Sequence, residues 1–377
     1  MRGGRTMKVL LLAQSIEGGG AQEVCRAWAR ALGGAHEVRI LVLDSSPAMA
    51  EARRALAGIP VGCAADAGVG SHRGRVAYVR RTVADWRPDV VLSLETYPNL
   101  VALLATRGLG TRTVISEHNV PSILLRVEGL AKRAQLVLAK RLYRHAESVI
   151  CVSHAVATDI RCNFGVSADK VAVLPNGVLG GALDSDAVAE PVPLPGRITV
   201  LVPARLVPQK RPAHCVAIAE TLALRGVRTT LVWVGDGTEQ LRSGMVEIVR
   251  EKWRDDWHTL ADEETVVLLG SAYEGFGNVL VEAANRRIPV VAGSTALGCA
   301  DAIVPGVTGF LAATDTPESY ADAVQEARML TGGSTLDSWL RQFSAATTAR
   351  RLESVLGLST VSAPRASPAV RTGAGHG

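Results

Sequence analysis

Glu274 and Glu282, with seven residues between them, stand at the two ends of EGFGNVLVE. Ionised carboxylates only accept hydrogen bonds, so two of them at one opening suit a ligand rich in hydroxyls, such as a hexose on one side and a ribose on the other. An apolar run at 266–269 reads as a buried parallel strand, Gly275 and Gly277 permit a tight turn, and Asn278 is a good cap for the helix that follows. The backbone N–H groups of Val279, Leu280 and Val281 are then expected to face a ligand at the helix end whose dipole favours phosphate. Glu282 falls about one turn into that helix while Glu274 stays on the loop, so the carboxylates flank the opening at different depths. Alone, the pattern equally describes a plain strand, turn and helix with surface glutamates.

Other residues have types that fit the same ligand. Arg205 and Lys210, in PARLVPQKRP, follow an apolar run at 198–202, and two fixed cations at a strand end suit a diphosphate. Fixed cations stabilise negative charge best where it develops in a reaction. Gly18, Gly19 and Gly20 follow the run at 8–13 and precede a helix from Ala21, so backbone can approach a phosphate or sugar closely. There is no GxGxxG fingerprint and no GxxxxGK[ST] loop. His118, in ISEHNV, ends the run at 113–116 and is placed to hydrogen-bond a hydroxyl. His154 and His214 read as structural. Glu95 and Glu117 fall at strand ends, either to receive an amino group or to serve the structure.

The elements that carry these residues form two repeats. Apolar runs at 8–13, 38–43, 90–94, 113–116, 149–152 and 171–174 alternate with helix-like stretches, the pattern of an α/β doubly wound sheet. A second series runs through 198–202, 230–234, 266–269 and 290–292. Between VGDG and EGFG, residues 238–253 read as a helix, 254–264 as a polar stretch, and the rest as one strand. The expected domains are 1–179 and 197–358, joined by a Gly-, Pro- and Asp-rich linker at 180–196 and followed by a disordered tail at 359–377. Two such sheets face a cleft at the carboxyl ends of their strands.

Composition narrows the class. A chain of 377 residues with 47% hydrophobic content and 4% aromatic fits a soluble α/β enzyme with two sizeable cores. The net charge of +5 is mild and no aromatic-interleaved basic motif occurs, which argues against nucleic acid as a partner. The apolar run at 9–13 is too short for a signal or membrane-spanning segment. Six cysteines without CxxC spacing fit reduced thiols in a cytoplasmic protein rather than disulfides or zinc. Arg126, Lys132, Arg133, Lys140, Arg141 and Arg144 are interleaved with leucines, giving a basic amphipathic helix over 132–145. Such a helix either lies on an anionic membrane or packs on the core with its basic face in water.

Together, GGGAQEV (18–24), LPNGV (174–178), PARLVPQKRP (203–212), VGDG (234–237) and EGFGNVLVE resemble, in order and spacing, the retaining GT-B glycosyltransferases of the family-four type, the glycosyl transferases group 1. The resemblance implies two Rossmann-like domains, the first for the acceptor and the second for a nucleotide-sugar donor. It implies catalytic roles for His118, Arg205, Lys210 and Glu274. Donor binding falls to Gly19, Gly20, Gly275, Phe276, Gly277, Asn278, Val279, Leu280 and Glu282. It further implies transfer to a hydroxyl with retention, no metal or other cofactor, and a same-face substitution in which the departing diphosphate takes the acceptor proton. A double displacement needs a carboxylate beneath the anomeric carbon, and no residue announces itself for that.

Two departures stand out. Relatives carry a further strand-helix unit between VGDG and EGFG that helps hold the base, and Gly298 is followed here by Cys299 and Ala300 where bulkier pairs are usual. The first motivates a second class of function, a non-catalytic GT-B subunit that binds a nucleotide-sugar or a partner enzyme. The Ala-, Gly- and Arg-rich composition points to a high-GC bacterium, with either a lipid-linked glycan or a secondary metabolite such as an aminocyclitol as acceptor.

Overall fold

The computed structural model describes residues 6–45, 49–56, 58–127, 129–179, 196–330 and 335–358. The linker, apart from Gly196, and the tail lie outside them. Within these residues the chain builds two all-parallel sheets. The first holds β1 (Lys8–Ala13), β2 (Glu37–Val42), β3 (Val61–Cys63), β4 (Val90–Leu94), β5 (Arg112–Glu117), β6 (Ser148–Cys151) and β7 (Val171–Val173). Their order is β3-β2-β1-β4-β5-β6-β7. The second holds β8 (Arg197–Pro203), β9 (Arg228–Val234), β10 (Glu247–Glu251), β11 (Thr265–Leu269), β12 (Val290–Gly293) and β13 (Gly309–Ala312), ordered β10-β9-β8-β11-β12-β13. Every residue of β4 and β11 is buried, because helices cover both faces and leave no side for alternating polar residues.

Strand order reverses between β1 and β4 in the first sheet and between β8 and β11 in the second. At such a switch point the connections leave toward opposite faces and open a crevice beyond the strand ends. The loops that leave these four strands carry Gly18–Gly20, Glu95, Arg205 with Lys210, and Glu274–Gly277. Topology, rather than sequence proximity, gathers the motifs.

Two expectations need correction. Residues 238–253 form no helix: the chain runs irregularly to β10, which pairs parallel with β9 from Glu247 opposite Thr230. Ser243 Oγ accepts from the N–H groups of Met245 and Val246 (3.0 and 3.1 Å), a local turn that competes with helix. Val246 and the partly buried Ile248 then pack into the second core.

The boundary at 358 also fails as a domain limit. Helix Ala345–Val355 returns to the first domain, where Leu352 and Leu356 join the core formed by β1, β2 and helix Gly20–Gly33. Arg112 Nη1 fixes its end by donating to the Leu356 carbonyl (2.9 Å), and Ala345 N donates to Leu179 O (3.0 Å).

Candidate active site

The second domain presents its cations and its first glutamate as one unit. Arg205 lies exposed just beyond β8, and Lys210 ends the short 3-10 helix Pro208–Lys210. Gln209 stitches this turn to the EGFG loop, accepting from Ala272 N (2.9 Å) and donating to the Tyr273 carbonyl (3.0 Å). Lys210 Nζ thereby meets Glu274 Oε1 in an ion pair, with side chains only 16% and 11% exposed. The VGDG motif and the Trp233 before it back the loop that leaves β8: Leu206 N donates to Asp236 O (2.8 Å) and Trp233 Nε1 to Ala204 O (2.8 Å).

Asn278 does not cap its helix. Gly277 takes that position with φ 92°, helix Asn278–Asn285 has no side-chain cap, and Leu280 N is bonded to Gly277 O (3.0 Å) instead of open to a ligand. The Asn278 side chain turns to the first domain, where its Oδ1 accepts from Asn176 Nδ2 (2.8 Å). Asn176 belongs to LPNGV, a motif whose place in the site the sequence marked without assigning a residue. Gly20 approaches from the same side, and a Cβ placed on it would stand 3.1 Å from Asn278 Nδ2. Gly19 precedes the first turn of helix Gly20–Gly33, whose opening N–H groups lie at the switch point of the first sheet.

Phe276 and Leu280 are core residues, and the partly buried Val279 packs on that core. Any contact they make with a donor is therefore through backbone. Glu282 accepts from Trp257 Nε1 (3.3 Å). Burial raises its carboxyl to about 7, the Trp257 hydrogen bond lowers it, and the charges of Asp255 and Glu23 raise it further. Trp257 comes from the stretch before β11 that reads as merely polar in sequence, and Glu23 from the first domain's opening helix.

His118 closes the cleft from the first domain. Its Nε2 shares a hydrogen bond with Ser116 Oγ (3.0 Å) and its ring lies 5.9 Å from that of Trp28. Burial pulls it down to about 4, so the ring is neutral at pH 7. Its Nδ1 is buried without a partner among the described residues, which suits one hydrogen bond to a ligand hydroxyl. The His118 backbone touches Gly275, so His118, Gly275, Glu274 and Lys210 form a continuous chain of contacts across the two domains.

The remaining candidates separate. Glu117 faces inward, not toward an acceptor: it is 1% exposed and receives Tyr143 OH, Thr96 Oγ1 (3.2 Å) and Asn99 Nδ2 (3.1 Å). Burial raises its carboxyl to about 7 against those hydrogen bonds. His214 packs edge-on against Tyr320, whereas His154 pairs through Nδ1 with Asp301 (2.7 Å) and helps join the domains. Of the basic helix, Leu130–Leu142 buries Leu136 and Ala139 but leaves Leu130, Val137 and Leu138 exposed at 81%, 53% and 36%. No helix among the described residues is long and apolar enough to cross a membrane.

Comparison with known proteins places this geometry. The family model for Glycosyltransferase Family 4 matches residues 18–178, and that for Glycosyl transferases group 1 matches residues 186–329. The chain is 26% identical over 241 residues to an N-acetylgalactosamine-N,N'-diacetylbacillosaminyl-diphospho-undecaprenol 4-alpha-N-acetylgalactosaminyltransferase of Campylobacter jejuni subsp. jejuni serotype O:2. The match takes in 59% of this chain and spans 62% of that relative's length. Among solved structures, Anabaena HepE in complex with UDP-glucose superposes with a TM-score of 0.72 at 22% identity, over 93% of this chain and 99% of that one. Sucrose-phosphate synthase from Thermosynechococcus elongatus gives 0.71 at 16% identity, over 92% and 98%. These likenesses are of fold, two Rossmann-like domains in the GT-B arrangement.

Proposed function

From the premise that this chain belongs to the family-4-type glycosyltransferases, we propose that it moves a sugar from a nucleoside-diphosphate donor to an acceptor hydroxyl, with retention and without a metal. The observation that carries this is the meeting of the two domains at the second sheet's switch point, with Lys210 and Glu274 paired on one side and the His118 backbone, which follows β5, against Gly275 on the other.

Each group has a task in that reaction. The exposed Arg205 guanidinium and the Lys210 ammonium take up charge as the diphosphate leaves. Glu274 both holds Lys210 in place and offers its carboxylate to donor hydroxyls. Glu282, kept by Trp257, suits the ribose. Neutral His118 offers its free ring nitrogen to a sugar hydroxyl. The diphosphate oxygen, relieved of the sugar, accepts the proton of the incoming hydroxyl on the same face.

The Campylobacter relative's name specifies an acceptor linked to diphospho-undecaprenol. A lipid-linked glycan is the acceptor favoured here, since exposed Leu130, Val137 and Leu138 share a helix with Lys132, Arg133, Lys140 and Arg141. That combination of apolar surface and positive charge suits an anionic membrane. Wild-type protein is expected to float with phosphatidylglycerol vesicles, and Leu130→Ser with Val137→Ser and Leu138→Ser to stay behind. Equal flotation of both rejects the membrane contact.

The function itself is tested by incubating pure protein with UDP-, GDP- and dTDP-sugars and a panel of lipid-linked and free glycan acceptors, with products read by mass spectrometry. Hexose-mass addition from at least one donor is expected. Failure with every donor favours instead the non-catalytic subunit, the reading that the shortened segment at 238–273 motivates.

A further inference from the structure

Glu95 leaves β4 at the first sheet's switch point, beside the glycine loop that leaves β1. Its backbone has φ 73° and ψ 153°, a combination essentially reserved for glycine. The other described non-glycine residues with positive φ, Arg87, Arg211 and Arg287, have values of 52 to 55°, in the ordinary left-handed range. The strained backbone is held by neighbours: Glu95 N donates to Ser116 O (3.0 Å), and Glu95 O accepts from Asn99 N (3.0 Å) to open helix Thr96–Thr106.

The side chain that this geometry presents differs from its neighbour Glu117. Glu117 takes three side-chain hydrogen bonds in the interior. Among the described residues Glu95 takes one, from Gln22 Nε2 to its Oε2 (3.1 Å), and Gln22 stands in the first turn after the glycine loop. Burial raises the Glu95 carboxyl, while the charges of Lys132 and, across the cleft, Arg205 lower it. The carboxylate is thus felt by the cation assigned to the leaving diphosphate, yet it belongs to the acceptor domain. A half-satisfied carboxylate held there at the expense of backbone strain has the position and chemistry to receive a hydroxyl.

We infer that Glu95 binds the acceptor, accepting a hydrogen bond from a hydroxyl of a sugar-like substrate next to the one that reacts, with Gln22 fixing the carboxylate's orientation. The inference rests on the glycosyl-transfer function proposed above. Its test has two arms. Melting of Glu95→Gly, Glu95→Ala and wild type reads the strain without any substrate. Glu95→Gly is expected to melt at or above wild type and at least about 2 °C above Glu95→Ala, since only glycine relaxes at this φ and ψ.

The second arm uses UDP-hexoses as donors and p-nitrophenyl hexosides as acceptors. Glu95→Gly and Glu95→Ala are expected to raise the acceptor KM by about tenfold or more, with donor KM changed less than about threefold and Glu95→Gln intermediate. A Glu95→Gly protein that melts below wild type, or an unchanged acceptor KM, overturns the inference. A wild-type protein that turns over no donor defeats the proposed function instead, and the melting order still decides the status of Glu95.

Discussion

Arg205→Ala is expected to lower kcat by about 10²–10³-fold, roughly 3–4 kcal/mol of transition-state stabilisation, while leaving the melting temperature near that of wild type. The separation follows from its surroundings. Arg205 is exposed at the end of β8 and has no ion pair among the described residues, so folding does not depend on its charge. Lys210→Ala is expected to lose a similar amount of kcat and some stability as well. Its ammonium partners Glu274 in a pair with 16% and 11% side-chain exposure, and removing it leaves a mostly buried carboxylate uncompensated. Steady-state kinetics alongside thermal melting distinguish the two. If Arg205→Ala keeps its rate, or loses rate only because it unfolds, the leaving-group role is wrong.

Gly275→Ala should be nearly as damaging for a steric reason. A Cβ on Gly275 would lie 2.2 Å from the His118 carbonyl oxygen, 2.6 Å from its carbon and 2.8 Å from Asn119 Cα. All three are backbone atoms, so no rotamer relieves the clash. Retreat is blocked too, because the backbone of Gly298 lies against Gly275 so closely that its own Cβ would stand 2.2 Å from Gly275 O. The EGFG loop can therefore move off His118 only by displacing Gly298 as well, and it carries Glu274 with it.

Overpacking of this kind costs about 1–3 kcal/mol of stability, and about 1 Å of misplacement at a reacting centre costs about 10²-fold in rate. Gly275→Ala is expected to show both a lowered melting temperature and a kcat reduced by about 10²-fold or more. Wild-type kcat in this variant contradicts the close approach of the two domains.

The parts of this architecture visible in sequence are those where one residue type has one physical use. Fully buried central strands such as β4 and β11 read as mainly apolar runs, with Ser93 and Thr265 their one polar residue each, and glycines and cations at strand ends mark the loops that leave them. The edge strands β3 and β10 escape because their environment is mixed. β10, EIVRE, has a partly exposed pattern, and the three-residue β3 carries Gly62 at its centre.

Long-range partners are the other blind spot. The local preference of Asn278 for capping is overridden by Asn176, 102 residues away. Glu95 and Glu117 are indistinguishable by type and position at a strand end, and only the packing of Tyr143, Thr96 and Asn99 turns one of them inward. The last helix among the described residues, Ala345–Val355, follows the second domain in sequence yet finds its apolar partners in the first.

The claim of same-face transfer driven by Arg205 and Lys210 is met most directly by one spectrum. The product formed from the best sugar-nucleotide donor, in buffer containing EDTA, is examined by proton NMR at its new anomeric centre. The configuration of the donor sugar is expected to be kept in the product. An inverted anomeric centre, or product formation that ceases with EDTA and returns with a divalent cation, contradicts it.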